Sequence, residues 1–328
     1  MRKLQQVASE PVLRKWLVGR LLGKYAAEPA YQAHYPPYLS DALPLAPEQP
    51  DCTLAGLSAR APEKAIVLSL AGESLGLEPD QEAGLFDHTF ADTETLLALH
   101  RFAWLPMAGE DMSPAWVNAI WSAWRAKYGT PDDNWAWHPY TACERVINIL
   151  AFAQRHGLPG RRDDTLAVLA NHAPAIAARL EYFGDHHSSN HLANNGRGLF
   201  MLGLALGMPN CTNMGGRILT EEAKRIFLPS GILREGSSHY HALLTLNYAA
   251  AHRAALKHKR PEAGILGEVV GRACSALKIL ACPAACRWSA TYRPIARPIS
   301  SRAYCRAKIP TTAGPVCSRR TTGRVWRT

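Results

Sequence analysis

The chain has 328 residues, enough for one large domain or two smaller ones. About 47% of the residues are apolar and 20% are charged, the composition of a globular protein that can bury a core. No run approaches the roughly 20 apolar residues of a membrane span, and the N-terminus lacks the apolar centre of a signal peptide. We therefore expect no membrane span, and the sequence alone favours a cytoplasmic protein.

Positive charge is concentrated in the last 47 residues. The whole chain carries 37 Lys and Arg against 27 Asp and Glu, a formal net charge of +10. Residues 282–328 hold ten basic residues and no acidic one, so the rest of the chain is balanced. Few apolar residues recur there at a helical or strand period, which predicts a disordered basic tail. The rest of the chain offers no surface for reading bases, so no specific nucleic-acid partner is expected.

Helical periodicity dominates the chain from residue 93 and predicts an all-α fold. Residues 35–65 are rich in Pro and acidic residues and are interpreted as an extended connection. Beyond them, apolar residues recur at a spacing of three or four, with almost no strand-like alternation. The predicted helices cover residues 93–104, 114–128 with Ser113 as N-cap, 141–156, 164–182, 192–206, 221–227, 238–257 and 263–280.

Polar and aromatic side chains gather in three clusters, at residues 134–148, 185–195 and 228–241. The second and third lie where a loop enters a predicted helix, where Asn and Ser are also common as caps and turn formers. Five histidines fall within these two clusters. Histidines flanked by Asn, Tyr, Arg and Glu are typical of a polar pocket, so we expect a functional site there.

Three chemistries are compatible with these residue types. His186, His187 and His191 could bind a metal ion, but the spacing of carboxylates is poor and the cysteines form no C-x-x-C pair, so we expect neither a metal nor another cofactor. Asp185 and Glu235 could act as the acid and base of an inverting glycoside hydrolase. The third possibility is β-elimination on a uronic-acid polymer.

Elimination removes the weakly acidic proton next to a carboxylate, so the site must offset growing negative charge. Asn and His are suitable hydrogen-bond donors for that purpose. A Tyr or His takes the proton, and a Tyr can return one to the leaving oxygen. Asn190, His191 and Tyr240 supply these residue types.

The three clusters resemble the heparinase II/III-type polysaccharide lyases over roughly residues 85–281. The family's W-x-P-Y-x-x-x-x-R-x-x-N pattern is matched from Trp137 to Asn148, its Asn-His pair at the head of a helix by Asn190 and His191, and its E-G-S-x-x-Y-H run by residues 235–241. The resemblance implies an incomplete (α/α) toroid followed by a C-terminal β-sandwich. It also implies eliminative cleavage of an acidic polysaccharide or oligosaccharide.

The resemblance assigns roles to residues of this chain. Asn190 and His191 would neutralise the substrate carboxylate, and Tyr240 would be the catalytic acid or base. The substrate-binding residues would be Trp137, Tyr140, Arg145, Asn148, Arg234, Glu235, His239 and His241. The rival interpretation is a non-catalytic glycan-binding or assembly protein that uses the same cleft.

The basic tail departs from the family, whose β-sandwich supplies a further catalytic His in several members. A GC-rich back-translation of residues 281–310, read two nucleotides later, permits a sequence of balanced charge. We therefore hypothesise a frameshift near residue 281, which would leave a truncated and weak or inactive form. A natural basic tail is the alternative. The predicted organisation is an N-terminal extension at 1–84, a toroid at 85–281 and a non-native tail at 282–328; family analogy would place the protein in the periplasm.

Overall fold

The structure is a computed structural model. It describes residues 14, 17–19, 21–22, 35–41, 44–58, 60–108, 113–184 and 190–280. The described residues belong to one compact unit, and residues 281–328 lie outside the described ranges. The predictions for the tail and for a frameshift near residue 281 therefore fall outside the described part of the chain.

The described residues confirm the all-α class. One short hairpin, β1 (Ile66–Ser69) and antiparallel β2 (Ser74–Leu77), precedes the helices. The helices that follow are α1 (Glu82–Leu85), α2 (Thr93–His100), α3 (Trp104–Ala108), α4 (Pro114–Tyr128), α5 (Pro139–His156), α6 (Arg162–Ala177), α7 (Asn190–Leu206), α8 (Pro209–Ile226), α9 (Ser238–Lys257) and α10 (Ala263–Leu280). None of the helices in the described ranges is long and apolar enough to cross a bilayer.

Local sequence explains where several helices begin. The Asp92 side chain accepts a hydrogen bond from the backbone N–H of Thr95 at the start of α2, and Ser237 does the same for Tyr240 at the start of α9. Pro139 occupies the first turn of α5, where its missing N–H costs nothing. Ser113 is the N-cap residue of α4 as predicted, but its side chain makes no capping hydrogen bond.

The predicted bounds of α4, α9 and α10 match the structure, whereas the other five predicted helices differ. Helices α5 and α7 each begin two residues before the predicted start. The helix predicted from residue 93 to 104 is broken after His100, and α6 ends at Ala177 rather than at residue 182. Helix α8 begins at Pro209, twelve residues before the predicted start at residue 221. Its first turns contain Asn and two glycines, which have low helix propensity, and packing against α7 overrides that preference.

Helices α7 and α8 contribute residues to two hydrophobic cores. The larger core receives Leu199 of α7 and Ile218 of α8, and the smaller receives Phe200 and Leu219 from the same two helices. Glycines let the helices approach closely: a Cβ on Gly215 would lie 2.3 Å from the backbone nitrogen of Phe200. The smaller core is completed by the packed pair α9 and α10. Helix α7 also contacts α5, α6 and α9.

The described part of the predicted N-terminal extension belongs to the same compact unit as the helices. The backbone N–H of Asp51 donates to the carbonyl of Leu206 at 2.7 Å, and that of Leu57 donates to the carbonyl of Leu158 at 2.8 Å. Leu68 of β1 is buried in the larger core. This segment therefore covers the ends of α5 and α7.

Candidate functional site

The first turns of α5 and α7 bring two of the three clusters together. The ring centroids of Tyr140 and His191 are 4.9 Å apart. The third cluster is close enough for Tyr240 to act electrostatically on Tyr140: burial first, and then Glu144 and Tyr240, raise the pKa of the Tyr140 phenol well above its usual value. Tyr140 is therefore protonated at neutral pH and can donate a hydrogen bond.

A buried carboxylate, Glu181, anchors the site from the loop after α6. Its side chain is 6% exposed. Oε1 lies 2.6 Å from Nδ1 of His191 and 3.7 Å from Nε2 of His138, and Oε2 accepts a hydrogen bond from Nδ2 of Asn195 at 3.0 Å. The backbone N–H of Glu181 donates to Oδ1 of Asn195 at 2.9 Å. Both carboxylate oxygens are thus engaged, which is the usual condition for a buried charge.

His138 is the second histidine at this carboxylate. It is the N-cap residue of α5, and its ring lies against that of Trp135 with 5.8 Å between centroids. Burial lowers the pKa of His138 and outweighs the opposing effect of Glu181. His138 is therefore neutral at neutral pH and adds no positive charge beside Glu181.

Two arginines border Tyr140. The guanidinium carbon of Arg101 lies 5.1 Å from the ring centroid of Tyr140, and Asn148 Nδ2 holds the Arg101 carbonyl at 2.9 Å. Arg197 forms an ion pair with Glu144 at 2.9 Å. Both Arg101 and Arg197 lower the pKa of Tyr140, against the larger effect of burial. The structure thus places Asn148 behind Arg101, where it orients the residue that borders the site.

Two residues predicted to bind substrate are fully enclosed instead. Arg145 is 0% exposed, and its donors go to Nε2 of His172 and to the carbonyls of His100 and Ala136. Trp137 is 1% exposed and donates from Nε1 to the carbonyl of Tyr128. These side chains make no contact with solvent from which a substrate would approach. This corrects their assignment: they hold the loop that carries His138.

His241 also departs from the predicted role. It is 1% exposed, its Nδ1 accepts the backbone N–H of Leu233 at 3.1 Å, and its Nε2 donates to the carbonyl of Ala273 at 3.0 Å. Because both ring nitrogens are used by the backbone, His241 ties the loop before α9 to α10 and is not available as a substrate contact.

The remaining predicted site residues of the third cluster are exposed. Tyr240 is 39% exposed, and the His239 ring lies beside it with 5.7 Å between centroids. Arg234 donates from Nε to the carbonyl of Arg225 at 3.0 Å. Glu235 is also exposed. These four side chains line the solvent-facing edge of the α9 N-terminus.

Asn190 is the first residue of α7 and is largely buried, next to the partly exposed His191. Asp185, His186 and His187 lie outside the described residues, so the predicted carboxylate pair of Asp185 and Glu235 has no measured separation. Among the residues that the structure describes, no group of three His, Cys, Asp or Glu side chains could hold a metal ion.

Sequence reasoning missed Glu181, His138 and Arg101. Glu181 and Arg101 reach the site only because loops at the ends of α6 and α2 converge on α5 and α7. One signal was present for Glu181: it is a lone carboxylate that follows an apolar helix and shortly precedes the histidine cluster. No comparable signal marked Arg101.

These observations define an all-α protein with a polar site at the first turns of α5 and α7. No protein-family model matches the chain, and no curated protein matches it. The crystal structure of a mutant of heparan sulfate lyase HepC from Pedobacter heparinus is similar, at 20% identity and a TM-score of 0.41. The alignment covers 60% of this chain and 34% of that one, so the present chain spans about a third of that protein. The likeness is a distant similarity of fold.

Proposed function

We propose that residues 85–281 form a polysaccharide lyase-like toroid that performs β-elimination on a uronic-acid-containing polymer. The observation that carries the proposal is the ring contact of Tyr140 with His191, 4.9 Å between centroids, which joins two of the three sequence clusters, while Tyr240 of the third contributes to the raised pKa of Tyr140. The motifs that resemble the heparinase II/III-type lyases are separated by about 40 residues along the chain. A shared site requires such motifs to lie close together, and the contact between Tyr140 and His191 supports this for two of them.

The reaction needs a proton acceptor, a proton donor and stabilisation of negative charge. The proton on the carbon next to the uronate carboxylate is removed, the electron pair forms the carbon–carbon double bond, and the glycosidic carbon–oxygen bond breaks. Asn190 and His191 neutralise the carboxylate as charge develops on it. Tyr240 exchanges the proton, either as the base or as the acid that protonates the leaving oxygen. No water is consumed.

The local charges suit an anionic substrate. Arg101 and Arg197 border Tyr140 and are paired with Glu94 at 3.1 Å and with Glu144 at 2.9 Å, respectively. The N-terminal end of α7, the positive end of the helix dipole, carries Asn190 and His191. Arg234 and His239 add basic side chains at the edge that carries Tyr240. The carboxylate of Glu181 is buried behind His191, where it does not repel the substrate directly.

A non-catalytic glycan-binding role is the second candidate, and one observation favours it. Trp135 is 51% exposed and lies against the His138 ring beside the site. An exposed indole offers an apolar face on which a sugar ring can stack. Such a platform serves binding whether or not turnover follows.

One experiment separates the two candidates. The 328-residue chain is incubated at high concentration with sulfated and non-sulfated uronic-acid polymers and with an uncharged glucan, and both binding and the ultraviolet absorbance of unsaturated uronate are recorded. We expect slow appearance of that absorbance with at least one uronate polymer and none with the glucan. Binding without any new absorbance would support the glycan-binding role and reject the lyase.

A further inference from the structure

The contact between the Glu181 carboxylate and His191 determines which ring nitrogen of His191 carries the hydrogen, as well as the position of the ring. It is nearly enclosed, and its Oε1 lies 2.6 Å from Nδ1 of His191, a distance typical of a strong charge-assisted hydrogen bond. An ionised carboxylate has acceptors only, so the hydrogen in this contact belongs to Nδ1. The tautomer of the neutral ring is therefore set by the partner of Nδ1.

Asn195 restricts the carboxylate in turn. Its Oδ1 accepts the backbone N–H of Glu181 at 2.9 Å, which directs its Nδ2 toward Oε2 at 3.0 Å. Asn195 is fully buried, and rotating its amide would bring Oδ1 against a carboxylate oxygen. Asn195 Nδ2 and His191 Nδ1 therefore both donate to the Glu181 carboxylate, one to each oxygen.

We infer that Glu181 is a positioning residue that holds neutral His191 as the Nδ1–H tautomer, so that His191 acts on the substrate carboxylate through Nε2. The inference rests on the proposed function for its catalytic meaning, but the tautomer itself can be measured without any turnover. His138 shares the same oxygen at 3.7 Å, too long for a hydrogen bond, and it leaves the contact with His191 dominant.

The hydrogen-bond network predicts an unusual result for the nearly isosteric variant Glu181→Gln. Asn195 Nδ2 still requires an acceptor, so the new amide turns its oxygen toward Asn195 and its NH2 group toward His191. Nδ1 must then accept a hydrogen bond, and the ring proton moves to Nε2. The double variant Glu181→Gln/Asn195→Asp reverses this, because an aspartate at position 195 accepts from the new NH2 group and frees the amide oxygen for His191.

The test is nitrogen-15 nuclear magnetic resonance of the imidazole groups in the 328-residue chain at a pH where His191 is neutral. The His191 signals are assigned by their loss in His191→Gln. We expect the Nδ1–H tautomer in the unmodified chain, Nε2–H in Glu181→Gln, and Nδ1–H again in the double variant. Glu268→Gln, at an exposed carboxylate on α10, is the matched control and should leave the tautomer unchanged.

Two results would overturn the inference. An Nε2–H tautomer in the unmodified chain does so without any variant, even if the substitutions prevent folding. A tautomer that is the same in Glu181→Gln as in the unmodified chain does so as well.

Turnover is the separate, second measurement. With the proposed function correct, Glu181→Gln lowers turnover by about 10²-fold or more, as expected for a misplaced imidazole proton, and the double variant recovers most of it. If the expected tautomers are observed in a chain that has no lyase activity, the proposed function is rejected and the positioning role of Glu181 stands. Normal turnover in Glu181→Gln despite a changed tautomer would remove the catalytic meaning alone.

Discussion

The guanidinium carbon of Arg145 lies 4.1 Å from the ring centroid of Trp124, and neither side chain is exposed to solvent. The guanidinium also donates to His172 and to two backbone carbonyls, and burial lowers its pKa to about 9. Hydrogen bonds and aromatic faces together replace its hydration shell. Because those carbonyls belong to the end of α2 and the loop before α5, Arg145 fixes the support of the candidate site.

Replacing Arg145 by Met should therefore destabilise the fold strongly. The substitution removes the donors from the carbonyls of His100 and Ala136, and we expect a loss of about 3 kcal/mol or more in the free energy of unfolding. Arg145→Lys should recover only part of it, because an ammonium cannot reproduce the planar fork. Urea unfolding followed by tryptophan fluorescence measures both. Arg161→Met, at an 86% exposed side chain, should change the value by no more than about 0.5 kcal/mol.

Acid sensitivity should depend on His100. Burial first, and then Arg145 and Lys127, lower the pKa of His100 from 6.5 to about 3. In this pH range the unfolded chain binds a proton at His100 that the folded chain does not bind. The free energy of unfolding therefore falls as the pH decreases from about 6.5 toward 3. One such histidine contributes a slope of about 1.4 kcal/mol per pH unit.

The variant His100→Asn should remove that slope while keeping an acceptor for Nε1–H of Trp124, which now donates to Nδ1 of His100. Urea midpoints between pH 6.5 and pH 4.5 would show the difference, with the exposed His258→Asn as control. Equal slopes in His100→Asn and in the unmodified chain would mean that His100 is protonated in the folded state.

Replacing a helical glycine by alanine should lower stability at Gly198 and raise it at Gly271. A Cβ on Gly198 of α7 would lie 2.6 Å from Cβ and 3.0 Å from Cα of Cys143 on α5, so Gly198→Ala forces the two helices apart. A Cβ on Gly271 of α10 meets nothing within 4 Å, so Gly271→Ala gains helix propensity and should stabilise by up to about 1 kcal/mol. Thermal unfolding checks the sign of each change. Destabilisation by Gly271→Ala, or none by Gly198→Ala, would contradict this packing.

Much of the helical content could be predicted because it follows from local periodicity. Helices α4, α9 and α10 combine a regular apolar spacing with a Ser cap or a terminal break, and their bounds agree with the structure. Helix α8 could not be bounded, because its glycine-containing first half is stabilised by contact with α7 and not by its own propensity. The β1–β2 hairpin was missed because it has only four residues per strand and packs on a helical core.

The candidate site was only half predictable, for a different reason. Motif matching locates Tyr140 and His191, whose rings are in contact, and Tyr240, which contributes to the raised pKa of Tyr140. It also selects Arg145 and His241, since a pattern records which residue types recur but not whether a side chain faces solvent. Glu181 enters through a side-chain hydrogen bond to a residue ten positions further along the chain, which leaves no periodic trace in the sequence.

The removal of the Tyr240 hydroxyl is a direct probe of the catalytic assignment. Tyr240→Phe keeps the ring at a partly exposed position and the backbone N–H that Ser237 caps, so folding should be preserved. Turnover should fall by about 10²-fold or more, the usual effect of losing a general acid or base. Asn190→Ala should also lower turnover, through lost charge stabilisation. Near-normal turnover in Tyr240→Phe would make this Tyr structural.

The most direct measurement of the central claim is the mass of the products formed from a defined uronate oligosaccharide. Elimination splits the substrate without water, so the two product masses sum to that of the substrate, and the new non-reducing end carries a carbon–carbon double bond. We predict this result, with the ultraviolet absorbance of the unsaturated end rising in step. Products whose masses sum to substrate plus one water, without new absorbance, would show hydrolysis and contradict the proposed function.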